Sequence, residues 1–173
     1  MSGDLHKTSV VEIVDFRPKL ARYFRDLNYS WLERYFEIEP YDRIVLNDPL
    51  GQVIRLGGCV LFARFEGQIV GTCALLKHTE KKYELTKMAV DESCQGRGVG
   101  RKLVEAACQR ARELGAESLV LGTSRILETA NHLYLSCGFE YVDSSVIGPI
   151  PYKRETVVMA RSLTGPLPGD LVR

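Results

Sequence analysis

The chain has 173 residues, of which 45% are hydrophobic and 26% charged, and this composition is typical of a soluble globular protein with one domain. Its 23 Lys and Arg nearly balance 22 Asp and Glu, and the net charge of +1 excludes the strong overall field that draws basic proteins to nucleic acid or acidic membranes. We therefore expect a small-molecule partner, with no nucleic acid and no membrane.

The N-terminus and the potential metal ligands add two expectations. Residues 1–7 are polar and charged, without the apolar core of a signal peptide, and no later apolar run reaches the ~20 residues of a membrane helix, so we expect a cytoplasmic protein. The five cysteines are odd in number and contain no CxxC pair, which indicates free thiols. Neither they nor the three histidines show ligand spacing, so we assign no metal.

The N-terminal third predicts one short strand followed by helix. Residues 10–16 are rich in β-forming types. In residues 18–36 the apolar side chains recur mostly at intervals of three and four, which indicates one helix, or a pair of helices with a break at residues 28–30. Glu39 and Pro40 are expected to end this helical run.

The middle of the chain predicts three strands. The apolar runs 57–65 and 68–77 flank Glu66 and Gly67, a turn signal, and therefore indicate an antiparallel hairpin. Residues 83–90 alternate between apolar and polar types and predict the next strand.

After this strand the period becomes helical. Five apolar residues from Val99 to Leu114 are spaced by four, four, four and three, and Gly115 is placed to end the helix. A buried-type strand (117–121), a second helix (126–136) and two further strands (139–143 and 155–161) are predicted after it.

The order of these elements predicts the fold class: α/β, with a mixed, mostly antiparallel sheet and helices on both faces. We expect one domain over residues 8–163. Residues 164–173 contain the only stretch rich in proline and glycine and predict a flexible C-terminal tail.

One segment carries most of the functional information. The strand 83–90 runs through a short loop into Gly96, Gly98 and Gly100 at the start of the next helix. Glycines let a ligand approach the backbone closely, and a helix N-terminus supplies unpaired N–H donors with a favourable dipole. This arrangement predicts a site for an anion such as pyrophosphate.

Two common phosphate loops do not match the segment. A P-loop ends in Gly-Lys-Ser/Thr, whereas Gly100 is followed by Arg101 and Lys102. The dinucleotide pattern GxGxxG starting at Gly96 would need glycine at Arg101. A glycine-rich turn between a strand and a helix, with no ligand, remains an alternative.

The hexapeptide QGRGVG, residues 95–100, resembles the Gln/Arg-x-x-Gly-x-Gly/Ala signature of the GNAT superfamily of N-acetyltransferases, where it is the pyrophosphate loop for coenzyme A. Residues 87–91 resemble the central strand of that family, and the pattern from Ala130 through Tyr134 to Gly138 and Phe139 resembles its second motif. The resemblance covers residues 83–142. The N-terminal third resembles a bacterial subgroup of uncharacterised members.

The resemblance implies the GNAT fold and acetyl-CoA as cosubstrate, attacked directly by a neutral amine through a tetrahedral intermediate before the thiolate leaves. Glu84 stands where several members carry the general base, and the alternative is a surface carboxylate paired with Lys82 or Lys87. Met88 would donate its backbone N–H to the developing oxyanion, a role that does not depend on its side chain.

Tyr134 matches the family tyrosine that hydrogen-bonds the coenzyme sulfur and protonates the leaving thiolate, and the alternative is a half-buried helix aromatic. Many family members carry an asparagine that contacts the pantetheine arm at the position occupied here by Leu127, and this chain departs from that pattern. Asn131 substitutes for it only if the helix presents its amide to the cofactor; otherwise it is a polar residue on a solvated face. The implied cofactor-binding residues are Met88, Ala89, Val90, Gln95, Gly96, Arg97, Gly98, Val99, Gly100, Arg101, Asn131 and Tyr134.

The acceptor is not determined by the loop motif, because variable segments build the acceptor site. Residues 33–48 contain five acids against two arginines, and we interpret this segment, with the loop before Glu155, as the site of a cationic or zwitterionic small amine. The alternative is an ordinary solvated helix end whose acids pair with arginines. The substrate-binding residues predicted on this basis are Tyr35, Phe36, Glu37, Glu39, Asp42 and Tyr152.

Together these patterns predict an acetyl-CoA-dependent N-acetyltransferase acting on a primary amine of a small molecule. One alternative is a noncatalytic acyl-CoA-binding sensor or interaction module on the same fold. Another is a nucleotide-binding regulatory domain, which the missing Walker lysine and third dinucleotide glycine disfavour. A homodimer is compatible with the sequence, which leaves the oligomeric state open.

Overall fold

A computed structural model describes residues 10–167 and Leu171, and within them a seven-stranded sheet carries α-helices on both faces. The helices are α1 (Ala21–Tyr35), α2 (Pro40–Asn47), α3 (Val99–Glu113) and α4 (Glu128–Ser136). The strands are β1 (Glu12–Asp15), β2 (Cys59–Phe65), β3 (Gln68–Lys77), β4 (Lys82–Val90), β5 (Ser118–Thr123), β6 (Glu140–Val142) and β7 (Val157–Ser162).

The strand order in the sheet is β1-β2-β3-β4-β5-β7-β6. Among the described strands, every neighbouring pair is antiparallel except β4 and β5, which are parallel. The predicted α/β class, the hairpin and the mixed, mostly antiparallel sheet are therefore confirmed.

The sheet splits between β4 and β5. In the described structure these strands pair only where Lys82–Glu84 faces Ser118–Val120. From Leu85 to Val90, β4 continues along β3 alone. The split leaves one edge of the β4 backbone without a strand partner in the middle of the sheet.

Successive strand residues point to opposite faces of the sheet, so each face has its own buried core. These two cores hold the helices against the sheet. Phe62 packs with Phe24 of α1 and Val45 of α2 on one face. Leu61 packs with Leu103 of α3 and Tyr134 of α4 on the other face. Each fully buried side chain of this size contributes about 1.5–3 kcal/mol. The helices therefore fix the position of every strand that lines the split.

Of the two alternatives predicted for residues 18–36, the structure shows one helix: α1 is continuous through residues 28–30 and has no break there. Asn28 is buried in it, and its Nδ2 donates to the carbonyls of Phe24 at 2.9 Å and of Lys87 in β4 at 3.1 Å. Pro40 does not end a helix. It begins α2, because proline is well suited to the first helical position. The Asp42 side chain accepts a hydrogen bond from the Glu39 N–H at 3.0 Å and so caps the start of this helix. α2 was not predicted.

We expect Asn28→Ala to lower the free energy of unfolding by about 1–3 kcal/mol, because the buried Lys87 carbonyl loses its donor. Urea unfolding measures the change. Asn47→Ala is the matched control, since Asn47 bonds Tyr29 at the surface and its loss should cost much less. Equal effects of the two substitutions would contradict the role assigned to Asn28.

The C-terminal residues that are described lie on the sheet. Leu171 is buried with Val120 and Val146, and Leu167 packs against the same cluster. The rest of the predicted tail, 168–170 and 172–173, and residues 8–9 of the predicted domain lie outside the described residues. None of the helices in the described part of the chain is long and apolar enough to cross a membrane.

Candidate active site

The glycine loop joins the end of β4 to the start of α3. Gly96 and Gly98 adopt the left-handed conformation, with φ of 77° and 79°, and Gly98 precedes the first residue of α3. No side chain of the described residues caps the first turn of α3, and that turn contains no acid. Because the first N–H groups of a helix lack partners within it, this end of α3 can bind an anion through its backbone.

The space at these glycines fits the proposed ligand. A Cβ added at Gly96 or Gly98 would have no heavy atom of the described residues within 4 Å, so the backbone is open to a ligand. Gly100 differs, because its Cβ would lie 3.1 Å from Leu133 of α4. Gly100 therefore allows α4 to pack closely against α3.

Two arginines flank the loop, and both have partners within the protein. The Arg97 guanidinium lies 5.5 Å from the centre of the Phe65 ring. Arg101 donates to Ser136 Oγ at 2.7 Å and to Cys137 Sγ at 3.5 Å, which ties α3 to the end of α4. Both residues are exposed, so their charges remain near the anion site.

Two open grooves lie beside the loop, with volumes of about 580 Å³ and about 770 Å³. Both are lined by Asp91 and Ser93; Arg97 lines the smaller one and Trp31 of α1 the larger one. Glu84 lines neither groove. The two grooves therefore lie at the end of β4 that carries the glycine loop, away from Glu84.

A bulge in β4 lies beside the split. Lys87 and Met88 together face the single residue Cys73 of β3, and Lys87 has a φ of 50°, rare for a residue with a side chain. Such a conformation costs of order 1 kcal/mol and persists where the surroundings impose it. Here Asn28 holds the Lys87 carbonyl. The bulge turns the Met88 backbone where β4 has no β5 partner.

Glu84 lies at the apex of the split, as the last residue of β4 that pairs with β5. It faces Leu76 of β3, whose side chain packs against the α1 and α2 core, so Glu84 points to that face of the sheet. Its side chain is 19% exposed, and Oε2 lies 2.7 Å from Nε2 of His78. The structure thus places Glu84 between solvent and the split.

Neither lysine that we considered as a partner of Glu84 takes that role. The Nζ of Lys82 donates to the Val146 carbonyl at 2.8 Å, and that of Lys87 donates to Asp42 at 2.6 Å. The partner is His78, which the sequence analysis did not single out. The hairpin between β3 and β4 contains the signal, because His78 and Glu84 lie near each other on one face of it.

Tyr134 approaches from the opposite face, on α4. Its ring is buried and packs edge-on against Phe139, with 6.0 Å between centroids. Burial raises the pKa of Tyr134, and the nearby thiols of Cys73 and Cys137 raise it further, so the phenol is protonated at neutral pH. Tyr134 and Cys73 belong to one buried cluster and Met88 packs against the same cluster, so the side chains of Tyr134 and Met88 lie on the same face of the sheet.

Asn131 is buried, with 5% of its surface exposed, and does not lie on a solvated face. Its Oδ1 accepts from Thr123 Oγ1 at 2.8 Å, and its Nδ2 donates to the Ser124 carbonyl at 2.9 Å. The amide therefore joins α4 to the end of β5. This arrangement gives no support to a contact between the Asn131 side chain and the cofactor.

Asp42 is the centre of an ion-pair network and has no exposed side-chain surface. Its oxygens accept from Lys87 at 2.6 Å and from both terminal nitrogens of Arg154 at 2.9 Å. Burial opposes ionisation, but the hydrogen bonds of Arg154 and the charge of Lys87 outweigh it and lower the pKa of Asp42 to about 2. The Asp42 carboxylate is therefore neutralised within the protein, and this pairing gives no support to the predicted contact between Asp42 and a substrate ammonium group.

Two other acids of the segment, Glu37 and Glu39, are less buried than Asp42. Glu39 accepts from the Lys153 N–H at 2.7 Å and lies 3.5 Å from Arg154, as expected if the acids of this segment pair with arginines. Glu37 is exposed, and its carbonyl accepts from Arg154 at 3.4 Å. Tyr35 is also exposed. The structure therefore brings α2 and the loop before β7 together, as predicted, but through internal ion pairs.

Aromatic rings border the Glu84 side of this network. The Tyr152 hydroxyl accepts from Lys87 at 2.6 Å, and its ring lies 3.9 Å from the Arg154 guanidinium. Tyr41 packs edge-on against Tyr152, with 5.6 Å between centroids, and Phe36 lies on the other side of Arg154. Tyr41 is not among the predicted substrate-binding residues, although it lies inside the same acidic segment as Tyr35 and Phe36.

The described residues contain no group of three or more His, Cys, Asp or Glu side chains that could hold a metal ion. The residues along β4 form a glycine loop at one end of the strand, a split beside its bulge and a carboxylate at the apex of the split.

The family model described as the acetyltransferase (GNAT) family matches residues 20–139. This match covers more than half of the chain, and the chain belongs to that family.

Curated relatives agree with the family. The chain is 33% identical over 106 residues to an uncharacterised N-acetyltransferase of Bacillus subtilis, YvbK, a match that covers 58% of this chain and 67% of YvbK. It is 35% identical over 94 residues to human N-acetyltransferase 8B, covering 51% of this chain and 41% of the relative. It is 32% identical over 90 residues to rat N-acetylaspartate synthetase, a match that covers 51% of this chain and 30% of the relative. The chain thus spans less than half of the two mammalian relatives.

Solved structures confirm the fold. An acetyltransferase of the GNAT family from Staphylococcus aureus superposes with a TM-score of 0.78 at 21% identity, over 90% of this chain and all of the other. The Salmonella typhimurium protein yncA, a putative acetyltransferase solved with its cofactor acetyl-CoA, superposes with a TM-score of 0.71 at 19% identity, over 91% of this chain and 96% of the other. The GNAT fold predicted from the sequence is therefore confirmed.

Proposed function

We propose that the protein transfers the acetyl group of acetyl-CoA to a primary amine of a small molecule, in a ternary complex. One observation carries the proposal: β4 has the uncapped glycine loop at its end and Glu84 at the apex of the split. A single strand therefore connects a site for a phosphate-bearing cosubstrate to a base.

The backbone is proposed to hold most of the cosubstrate. The N–H groups from Gln95 to Val99 would bind the pyrophosphate, and the β4 backbone from Met88 to Val90 would lie along the pantetheine arm. Arg97 and Arg101 would add charge. When bound, acetyl-CoA supplies an acetyl group activated as a thioester.

Three groups of the protein would then act on the reaction. Glu84 accepts a proton from the substrate ammonium group, so that the amine nitrogen becomes a nucleophile. The Met88 N–H donates a hydrogen bond where negative charge develops on the acetyl oxygen. The Tyr134 hydroxyl, protonated at neutral pH, donates a proton to the departing sulfur from the other face of the sheet.

The acceptor is proposed to be a cationic or zwitterionic small amine beside Glu84. Tyr41, Tyr152 and Phe36 provide apolar surface, as small-ligand sites require. Because Asp42 and Glu39 are neutralised by Lys87 and the loop before β7, Glu84 is the carboxylate we expect to attract the ammonium group. Contacts from the exposed residues Tyr35 and Glu37 remain predictions.

Gly98→Val should weaken acetyl-CoA binding at least tenfold, because a branched side chain would occupy the open space over the loop. The thermal shift on addition of acetyl-CoA measures the effect. Gly115→Val is the matched control: Gly115 lies at the other end of α3, also has a positive φ of 89° and has no heavy atom of the described residues within 4 Å of its Cβ. Both variants place a branched side chain at a positive φ, so an unchanged shift in folded Gly98→Val would reject this placement of the pyrophosphate.

Coenzyme A release with a panel of acceptors tests the proposed function. The panel contains alkyl amines, amino acids including aspartate, and hydroxyl compounds that lack an amine. We expect turnover with at least one amine and none with the hydroxyl compounds. Binding of acetyl-CoA without turnover of any amine would favour a noncatalytic acyl-CoA-binding module.

A further inference from the structure

We propose that His78 is a proton relay for Glu84, taking the proton that the amine has lost and releasing it to solvent. The inference rests on the proposed function and adds a residue to its catalytic machinery. It arises from the contact between Glu84 and His78 and from the position of both residues at the surface end of the split.

The hairpin between β3 and β4 builds this contact. The backbone N–H groups of His78 and Thr79 both donate to the Lys82 carbonyl at 3.0 Å, which fixes the turn. Leu76 faces Glu84 across the strands, and His78, two residues further along, lies on the same face. The separation of 2.7 Å between Nε2 and Oε2 is that of a strong, charge-assisted hydrogen bond.

The imidazole ring connects the carboxylate to water. The side chain of His78 is 24% exposed, and no group of the described residues hydrogen-bonds its Nδ1. Histidine has two ring nitrogens, so a proton can enter at one and leave from the other. Nε2 faces Glu84, and Nδ1 is therefore free to exchange with solvent.

The relay moves one proton from the amine to solvent. An N–H bond of the ammonium group breaks and an O–H bond forms on Glu84. While Glu84 is a carboxylate, His78 is the Nε2–H tautomer and donates to Oε2. Once Glu84 is protonated, exchange with water places the ring proton on Nδ1, and Nε2 then takes the proton as the O–H bond breaks, which gives an imidazolium ion. Nδ1 then passes its proton to water or a buffer base, which restores the Nε2–H tautomer and its hydrogen bond to the carboxylate. Glu84 is again a carboxylate, ready for the next amine.

The other ionisable groups on this face are engaged elsewhere. Tyr41 and Tyr152 have pKa values raised by burial, so neither carries a proton to solvent near neutral pH. Asp42 of α2 binds Lys87 of β4 and Arg154, which precedes β7. Lys82 of β4 donates to a backbone carbonyl, and Glu80 of the turn binds Lys77.

His78→Gln tests the relay. Glutamine retains a hydrogen-bond donor for Glu84 but cannot carry a proton through its side chain. In a buffer of low basicity we expect kcat to fall about 10–100-fold, with the KM for acetyl-CoA unchanged; this is less than the roughly 10²–10⁴-fold contribution of a general base, because Glu84 is still present. Added imidazole should restore kcat in proportion to its concentration in the variant and leave the wild type unaffected. His132→Gln, exposed on α4, is the control and should behave as wild type.

The outcomes separate the relay from the proposed function. A variant with wild-type kcat would overturn the relay and leave His78 without a role in turnover. A loss that imidazole does not repair would also overturn the relay and make His78 a positioning group for Glu84. In both cases the proposed function would stand on wild-type turnover. Absence of wild-type turnover with every amine would instead overturn the proposed function, and the relay with it.

Discussion

Glu84→Gln is expected to lower kcat by about 10²–10⁴-fold, the usual contribution of a general base, while acetyl-CoA binding stays unchanged. The amide has the shape of the carboxylate and can still bond His78, but it accepts no proton from an ammonium group. The loss should be largest near neutral pH, where the amine is protonated. It should shrink as the pH approaches the amine's own pKa of about 10, because free amine then needs no base.

Glu80→Gln is the matched control for this experiment. Glu80 lies in the turn just before β4, and its side chain is 86% exposed and paired with Lys77. This substitution removes the same charge from the same hairpin, so wild-type activity is expected. Equal losses in the two variants would show a general charge effect, and no loss in Glu84→Gln would remove Glu84 from the mechanism.

The second large effect is on stability. Asp42→Asn is expected to lower the free energy of unfolding by roughly 3 kcal/mol, because removing one partner of a buried ion pair leaves the other charges uncompensated. Here the uncompensated charges are Lys87, only 6% exposed, and Arg154. Asp26→Asn, in an exposed pair with Arg25, should change little.

The stability difference between wild type and Asp42→Asn should depend on pH. The pKa of Asp42 is lowered from 3.8 to about 2 in the folded protein, so the carboxylate stabilises the fold fully above pH 4 and loses this effect as the pH falls towards 2. A shift of this size corresponds to about 2 kcal/mol. Denaturant unfolding at several pH values should therefore show the gap between wild type and Asp42→Asn narrowing only below about pH 4. A small gap at pH 7, or one that stays constant down to pH 2, would contradict the network.

Local signals explain what the sequence predicted well. The apolar spacing from Val99 onwards defined α3, and the turn at Glu66 and Gly67 defined the hairpin of β2 and β3. The glycine loop was also readable, since its conformation depends on residues close together in the chain. Those features required no knowledge of distant contacts.

Long-range contacts explain what it missed. An asparagine inside a helix looks like a break unless its partner is known, and for Asn28 that partner is the Lys87 carbonyl, 59 residues away. From the sequence, the acidic segment looked like a site for a cation, because the partner that neutralises Asp42 is Arg154, 112 residues away in the chain. The split is likewise invisible, because it depends on where β4 and β5 stop pairing.

One measurement tests the central claim most directly: incubation of the protein with acetyl-CoA carrying a ¹³C label in the acetyl group and the best amine of the panel, with mass spectrometry of the product and quantification of free coenzyme A. We predict one labelled acetyl group on the amine for each coenzyme A released, and a rate that falls about 10²–10⁴-fold in Glu84→Gln. Acetyl-CoA binding with no labelled amide, or labelled amide formed equally fast by Glu84→Gln, would contradict the account.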